Sequence, residues 1–528
     1  MPYQYVIKNV KIYDGTGGKP YVSDVLIKGE KIEKIGKELK ALEEIDGTGL
    51  CLSSGFIDAH THSDTQLFVD PDRAHKLKMG VTSEIGGQCG WSRAPFAPDM
   101  KPEARNYLET VNGKREFVPQ YETFEDYADY MENKIKLGAH QKVFTGHCMI
   151  RASVVGMDNR PMTEAELDRA CALLEECMKQ GSLGLSSGLV YAPSCYGTTE
   201  ELAALCKVAA KYGGIYTTHM RNEADFVEEA VAEAINIARL SGIKLNISHL
   251  KTLYPHNFYK TEKILDMIDS AIAEGMDITF DVYPYEASSA TMMSTLPPSY
   301  LSEGVDRMVE RVTGKENIEI LRKNLYEPTE KFSNPMKNIG PEKMLITRAV
   351  TTPEAVGKTI AEYAEMLGID GVEAYAKLLA DNRGAVSDVR FNMSDEMIAK
   401  LYKHPKCMVG TDGLFTSEKK LSHPRHFGSY PRYLGRFVRE MKILPMEEGI
   451  RRITSMPAER YGLKTKGYVR EGYDADLVLF DENTIIDHAD YLDPFAANEG
   501  IKAVFVMGGI AVHDNVYTNL RNGKFYKK

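Results

Sequence analysis

Between residues 55 and 412, eight short apolar segments alternate with stretches of helical period, and most of them close on a polar residue. They are Phe56-Ile57, running on to His60, and then 80–85, 142–147, 183–187, 215–219, 244–249, 277–283 and 406–412. Strands separated by helices are βα units, and such units assemble as a parallel sheet. Eight of them predict a TIM-type (β/α)8 barrel of the α/β class, in which chemistry gathers at the C-terminal strand ends. The helical stretches carry their own signals. Thr163 and Glu166 form a capping box at the head of a helix expected to reach about residue 180, and Ala230, Ala234 and Ile237 lie at helical spacing over 225–241.

The two ends of the chain read differently. Tyr5-Val6-Ile7, Val10 to Tyr13, Val25-Leu26-Ile27 and Ile32 to Ile35 alternate without helical period around a Gly15-Thr16-Gly17-Gly18 turn, and Asp476 to Phe480 and Val504 to Gly509 have the same character. The expectation is one small β-sandwich built from 1–54 and 466–528, bracketing a barrel over 55–465. From about 286 to 404 the interval before the eighth strand is too long for one connection. That makes it an insertion after strand seven, with helices near 305–325, 352–367 and 372–379 and an apolar piece at 344–347. It leaves the barrel at the catalytic face and is expected to cover its mouth.

Length and composition exclude several functions. The 528 residues, 43% hydrophobic and 27% charged, describe an ordinary globular chain, and a formal charge of −10 lacks the basic face that nucleic-acid binding needs. No stretch approaches the ~20 apolar residues of a membrane span. The N-terminus shows neither the basic nor the apolar region of a secretion signal. Eight cysteines without a CxxC pair point to free thiols in a reducing compartment, and the expected location is cytoplasmic.

Ligand chemistry is concentrated at the strand ends. His60 and His62 follow strand one at i and i+2, Cys89 lies just past strand two, His219 closes strand five, His249 strand six and Asp412 strand eight. A single strand-closing histidine is commonly a satisfied polar residue. Six metal-competent side chains at five strand ends of one barrel face are a metal centre.

These positions resemble the amidohydrolase superfamily: His60-Thr61-His62, His219, His249 and Asp412 match its strand-one HxH, strand-five and strand-six histidines and strand-eight aspartate. Gly86-Gly87-Gln88-Cys89-Gly90, Thr218 to Glu223, Ile247 to Lys251, Asp281 to Tyr285 and His423-Pro424-Arg425 together look like an N-acyl-D-amino-acid deacylase (D-aminoacylase). Strand four carries no lysine to bridge two metals, and the resemblance implies that Cys89 replaces it. On that basis Cys89, His219 and His249 hold zinc, which suits one thiolate and two imidazoles with an open position. His60, His62 and Asp412 line a second, weaker position, and Asp412 serves as base and then acid. The resemblance further assigns Lys251, Tyr283 and Arg425 to the substrate carboxylate, with Ser288 and Ser289 assisting and Tyr191 near the scissile carbonyl. His147, Arg151 and Arg221 are expected either to support the site from behind the ligands or to be structural. The implied partner is a small N-acyl amino acid, with no nucleic acid or membrane, and a homo-oligomer is left open. A cyclic-amide hydrolase of the hydantoinase or dihydroorotase type and a non-catalytic scaffold are the alternatives. Because 286–304 contains no Lys or Arg but Ala287, Ala290, Met292, Met293, Leu296, Pro297, Pro298, Tyr300 and Leu301, apolar D-side chains are expected to be preferred.

Overall fold

The computed structural model describes residues 4–112, 121–328, 331–414 and 421–528, so the first three residues of the expected 1–54 segment lie outside it. Eight parallel strands follow one another around a ring. Phe56–Asp58 pairs with Val81–Gly86, and that strand with His140–Val143. The third strand continues past Phe144 as Thr145–Gly146 and pairs with Gly184–Gly188. Ile215–His219, Lys244–Ile247, Ile278–Val282 and Cys407–Val409 complete the series in register. The ring closes where Ala59 N donates to Val409 O at 3.3 Å and Thr411 N to His60 O at 3.1 Å.

Strands of this kind are buried on both faces, which is why they read as continuous apolar runs. Helices Glu164–Lys179, Thr199–Lys211, Val227–Ser241 and Lys260–Ala273 pack outside, and the first has its Thr163–Glu166 capping box. The sixth and eighth strands are among those shorter than expected. The sixth stops at Ile247 and the eighth at Val409, because His249 (φ 35°) and Asp412 (φ 47°) turn the chain into the left-handed region. Among the described residues no helix is long and apolar enough to cross a membrane.

The chain ends meet in one nine-stranded sheet. Cys51–Ser54 lies at its centre, parallel to Gln4–Tyr13 and antiparallel to Leu477–Phe480. Through Gly55 that central strand runs directly into barrel strand one, so the terminal sheet fixes where the HxH segment begins.

The insertion packs into a core that it shares with barrel-loop residues such as Trp91, Tyr107 and Met149. Its antiparallel sheet places Val386–Phe391 between Ala287–Thr291 and Met344–Ala349. The helix expected over 305–325 is two, Val305–Arg311 and Lys315–Tyr326, separated at Gly314 with φ 91°. The one expected over 352–367 begins only at Ile360, capped by Thr359, and helix Gly371–Asp381 follows. Asp395–Lys403 packs against helix Lys260–Ala273 and barrel strand eight as an outer barrel helix, so the insertion ends before it.

Candidate active site

All six sequence-predicted ligands come together at the C-terminal strand ends. The ligand atoms of His60, His62, Cys89 and Asp412 lie within 4.8 Å of one another, as do those of Cys89, His219 and His249. Cys89 belongs to both groups: its Sγ is 3.4 Å from His60 Nε2 and 3.3 Å from His249 Nε2. Asp412 Oδ1 lies 3.1 Å from His62 Nε2 and 3.5 Å from His60 Nε2.

The local backbone is shaped for this convergence. Cys89 (φ 53°), His249 and Asp412 all occupy left-handed conformations that cost non-glycine residues of order 1–3 kcal/mol each. Asp58 ties strand one to strand eight by accepting from His60 N at 3.2 Å, Thr411 N at 2.9 Å and Lys76 Nζ at 2.5 Å. A side chain at Gly410 would put its Cβ 2.6 Å from that of His60, so glycine is required there.

Two carboxylates that the sequence did not single out orient the rings. Asp281, on strand seven, lies 3.2 Å from His60 Nδ1 in an ionic contact and accepts from His249 N at 2.8 Å. Glu223 lies 3.0 Å from His249 Nδ1, 3.4 Å from His219 Nε2 and 2.7 Å from Lys251 Nζ. Its spacing, four residues after His219, was the available signal. Such acids fix ring orientation and raise ligand basicity.

The electrostatics favour a cation. Burial pushes the Cys89 thiol up, but His60 and His249 outweigh it and hold it well below its ordinary value. For Asp412 burial is likewise overcome, by Arg425 and His249. Burial would lower His62, yet Asp412 and Cys89 raise it to about 9. His219 is lowered by burial and stays neutral, with a buried Nδ1 that has no hydrogen-bond partner among the described residues. A thiolate, a carboxylate and imidazole lone pairs, for which protons and a metal ion compete, fit zinc.

A cavity of about 330 Å³ opens beside the cluster, lined by Tyr191, His219, Lys251, Tyr283, Ser288, Ser289, Asp412 and Arg425, with the insertion forming part of its wall. Arg425 Nη1 contacts Asp412 Oδ2 at 2.9 Å, its Nη2 donates to Ser289 O at 3.1 Å, and the guanidinium lies 4.7 Å from the Tyr283 ring centre. Lys251 sits 5.5 Å from the same ring. Among the described residues the Tyr283 hydroxyl and Arg425 Nε are buried without a partner, so both can still donate. Tyr191 packs on His219, ring centres 5.0 Å apart.

One expectation is corrected here. Met292, Met293, Leu296 and Leu301 do not line the cavity; they are at most 2% exposed within the insertion's core. The wall carries the expected Ser288, Ser289, Ala290 and Pro298, together with Ser294, Thr295 and, unforeseen, Arg390.

His147 and Arg151 form a buried network outside the cluster. Glu201 accepts from Arg151 Nη1 at 2.6 Å and pairs with His147 Nε2 at 2.9 Å, while His147 Nδ1 meets Ser194 Oγ at 2.6 Å in the loop that carries Tyr191. Arg221 is paired with Glu233 at 2.9 Å. Burial pushes the Glu201 carboxyl up, but His147 and Arg151 bring it down to about 2 from 4.5. A depressed carboxyl stabilises the fold above its unfolded pKa and loses that contribution as pH falls. Glu201 is therefore expected to contribute about 3 kcal/mol, lost between about pH 4.5 and 2. Glu201→Gln should lower the urea midpoint at pH 7, by an amount equivalent to about 3–5 kcal/mol, and flatten the decline below pH 4.5. An unchanged midpoint would show that the network does not hold the fold.

A protein-family model described as "Amidohydrolase family" matches residues 333–511. The D-aminoacylase of Alcaligenes xylosoxydans xylosoxydans is 29% identical over 525 residues, covering 99% of this chain and 97% of its own length. The N-acyl-D-glutamate deacylase of the same organism is 31% identical over 526 residues, covering 99% and 96%. Among solved structures, N-acyl-D-glutamate deacylase from Bordetella bronchiseptica, complexed with zinc and a phosphonate mimic of the reaction's tetrahedral intermediate, superposes with a TM-score of 0.84 at 28% identity over the whole of both chains.

Proposed function

This chain belongs to the N-acyl-D-amino-acid deacylase family of the amidohydrolase superfamily, and from that membership we propose that it hydrolyses N-acyl-D-amino acids to a carboxylate and a free D-amino acid. The carrying observation is the joining of two ligand groups at Cys89 beside a cavity with unspent hydrogen-bond donors. In this reading Cys89, His219 and His249 hold one zinc tightly, while His60, His62 and Asp412 form a weaker second position. When bound, zinc supplies Lewis acidity to the amide carbonyl and the attacking water.

The chain's own groups do the rest. Arg425, the Tyr283 hydroxyl and Lys251 bind the α-carboxylate, matching a guanidinium fork and a point charge to a planar anion. Ser288 and Ser289 shape that end, and the Ser289 carbonyl already aims Arg425. Tyr191 faces the scissile carbonyl from beside His219. Asp412 takes a proton from the water and returns one to the departing nitrogen. The barrel spans 55–465 and the two-ended sheet is the sandwich of 1–54 and 466–528, with the insertion over the mouth excluding bulk water.

A cyclic-amide hydrolase is disfavoured because barrel strand four, Gly184–Gly188, carries no lysine. Zinc-loaded protein is expected to release D-methionine from its N-acetyl form at least about 100-fold faster than the L-isomer, a difference of about 3 kcal/mol, and to leave dihydrouracil intact. Equal rates on the two isomers, or ring opening of dihydrouracil, would overturn the assignment.

A further inference from the structure

We propose that Arg390, held by Asp388, is the specificity-determining residue for the substrate side chain, and that it selects D-residues whose side chain ends in a neutral hydrogen-bond acceptor, the amide of D-glutamine above all. This rests on the function proposed above and deepens it.

Arg390 reaches the cavity from the middle strand of the insertion's sheet, more than a hundred residues after barrel strand seven. Its register partner there is Ser288, next to the Ser289 carbonyl that holds Arg425. The two guanidinium groups are thus anchored through neighbouring strand positions, so Arg390 faces the amino-acid half of a substrate whose carboxylate rests on Arg425. Its charge also acts on the phenols of Tyr191 and Tyr254, which line the same space.

The guanidinium is only partly spent. Nε donates to Asp388 Oδ2 at 2.9 Å, and Nη2 donates to Asp388 Oδ1 at 2.7 Å and to Thr291 O at 3.4 Å. Among the described residues Nη1 has no hydrogen-bond partner, and its two N–H donors remain for a ligand. Asp388 is fully buried and neutralises the pair. A carboxylate placed against Nη1 would meet Arg390 and Asp388 together and gain little for its desolvation, whereas an amide oxygen receives the hydrogen bond without bringing a charge. A thioether or alkyl side chain would leave the donors unmet. The further cations of the lining are Lys331, exposed at the rim, and Arg221, paired with Glu233.

The test compares kcat/KM of the zinc-loaded full chain for the N-acetyl derivatives of D-glutamine, D-glutamate and D-methionine, which are similar in length. The wild type should favour glutamine over each of the others at least tenfold. Arg390→Met should lower the glutamine value at least tenfold while moving methionine less than threefold. Should that variant fail to fold with Asp388 unpaired, the double variant Arg390→Met with Asp388→Leu removes both charges and is read in the same way. Asp388→Asn, which leaves Arg390 uncompensated, should raise the glutamate-to-glutamine ratio at least tenfold. Methionine equal to or faster than glutamine in the wild type, an equal slowing of all three by Arg390→Met, or an unmoved ratio in Asp388→Asn would each overturn this inference alone. No turnover of any D-substrate would overturn it together with the proposed function.

Discussion

Cys89→Ala is expected to lose tightly bound zinc and nearly all turnover, with kcat/KM falling on the order of 10³-fold or more, equivalent to several kcal/mol. Cys89 is the one side chain shared by the two ligand groups, so its removal leaves two imidazoles where three donors met and also thins the adjacent position. The thiol is already set for ligation: His60 and His249 outweigh the effect of burial and hold it well below its usual range, and only the thiolate binds metal strongly. No neighbouring group can substitute, since barrel strand four offers serines and glycines rather than a lysine. Alanine in place of a buried cysteine removes one sulfur atom and should leave the fold cooperative. Metal analysis after exhaustive dialysis, with near-ultraviolet dichroism as the folding control, checks this. One zinc per chain together with normal turnover would remove Cys89 from the metal site.

What the sequence made legible was set by short-range signals. Apolar runs, five of them closing on His or Asp, located the eight strand ends to within a few residues, because burial on both faces leaves no polar alternation to blur them. The capping box at Thr163 located a helix start to the residue, since the signal is itself the hydrogen bonding that terminates the helix. The left-handed turns at Cys89, His249 and Asp412 were not legible. Asp and His tolerate positive φ better than most residues but do not require it, and the surrounding barrel imposes it.

Long-range pairing was equally hidden. Arg390 enters the cavity only because Val386–Phe391 pairs with Ala287–Thr291 about a hundred residues earlier, and no local pattern announces that register. The same pairing explains the misplaced methionines. Met292 and Met293 form a 3-10 turn at the end of the first strand and point into the insertion's core, whereas Ser288 and Ala290, two residues apart and on one face, meet the cavity. Composition of a segment therefore did not predict composition of the wall it contributes to.

Asp412→Asn is expected to fold normally, to keep zinc at the Cys89, His219 and His249 site, and to lose about 10²–10⁴-fold in kcat. The carboxylate is held by three groups: Oδ2 faces Arg425 Nη1 at 2.9 Å, and Oδ1 faces His62 and His60. Burial would raise its pKa, but Arg425 and His249 lower it well below the ordinary range, so it is anionic and able to accept a proton throughout the neutral range. So low a proton affinity makes it a weak base while Arg425 is fully turned towards it. In the proposed function a substrate carboxylate would compete for the same guanidinium, and diverting that contact would raise the proton affinity of Asp412 towards what transfer to the leaving nitrogen requires. That competition would couple substrate binding to base strength through Arg425. The isosteric amide can still accept a hydrogen bond from Arg425, which is why KM should change less than fivefold, a difference of about 1 kcal/mol. It cannot accept and return a proton, so the residual rate should no longer fall on the acid side. A kcat equal to wild type across the whole pH range would show that proton transfer at this site does not pass through Asp412.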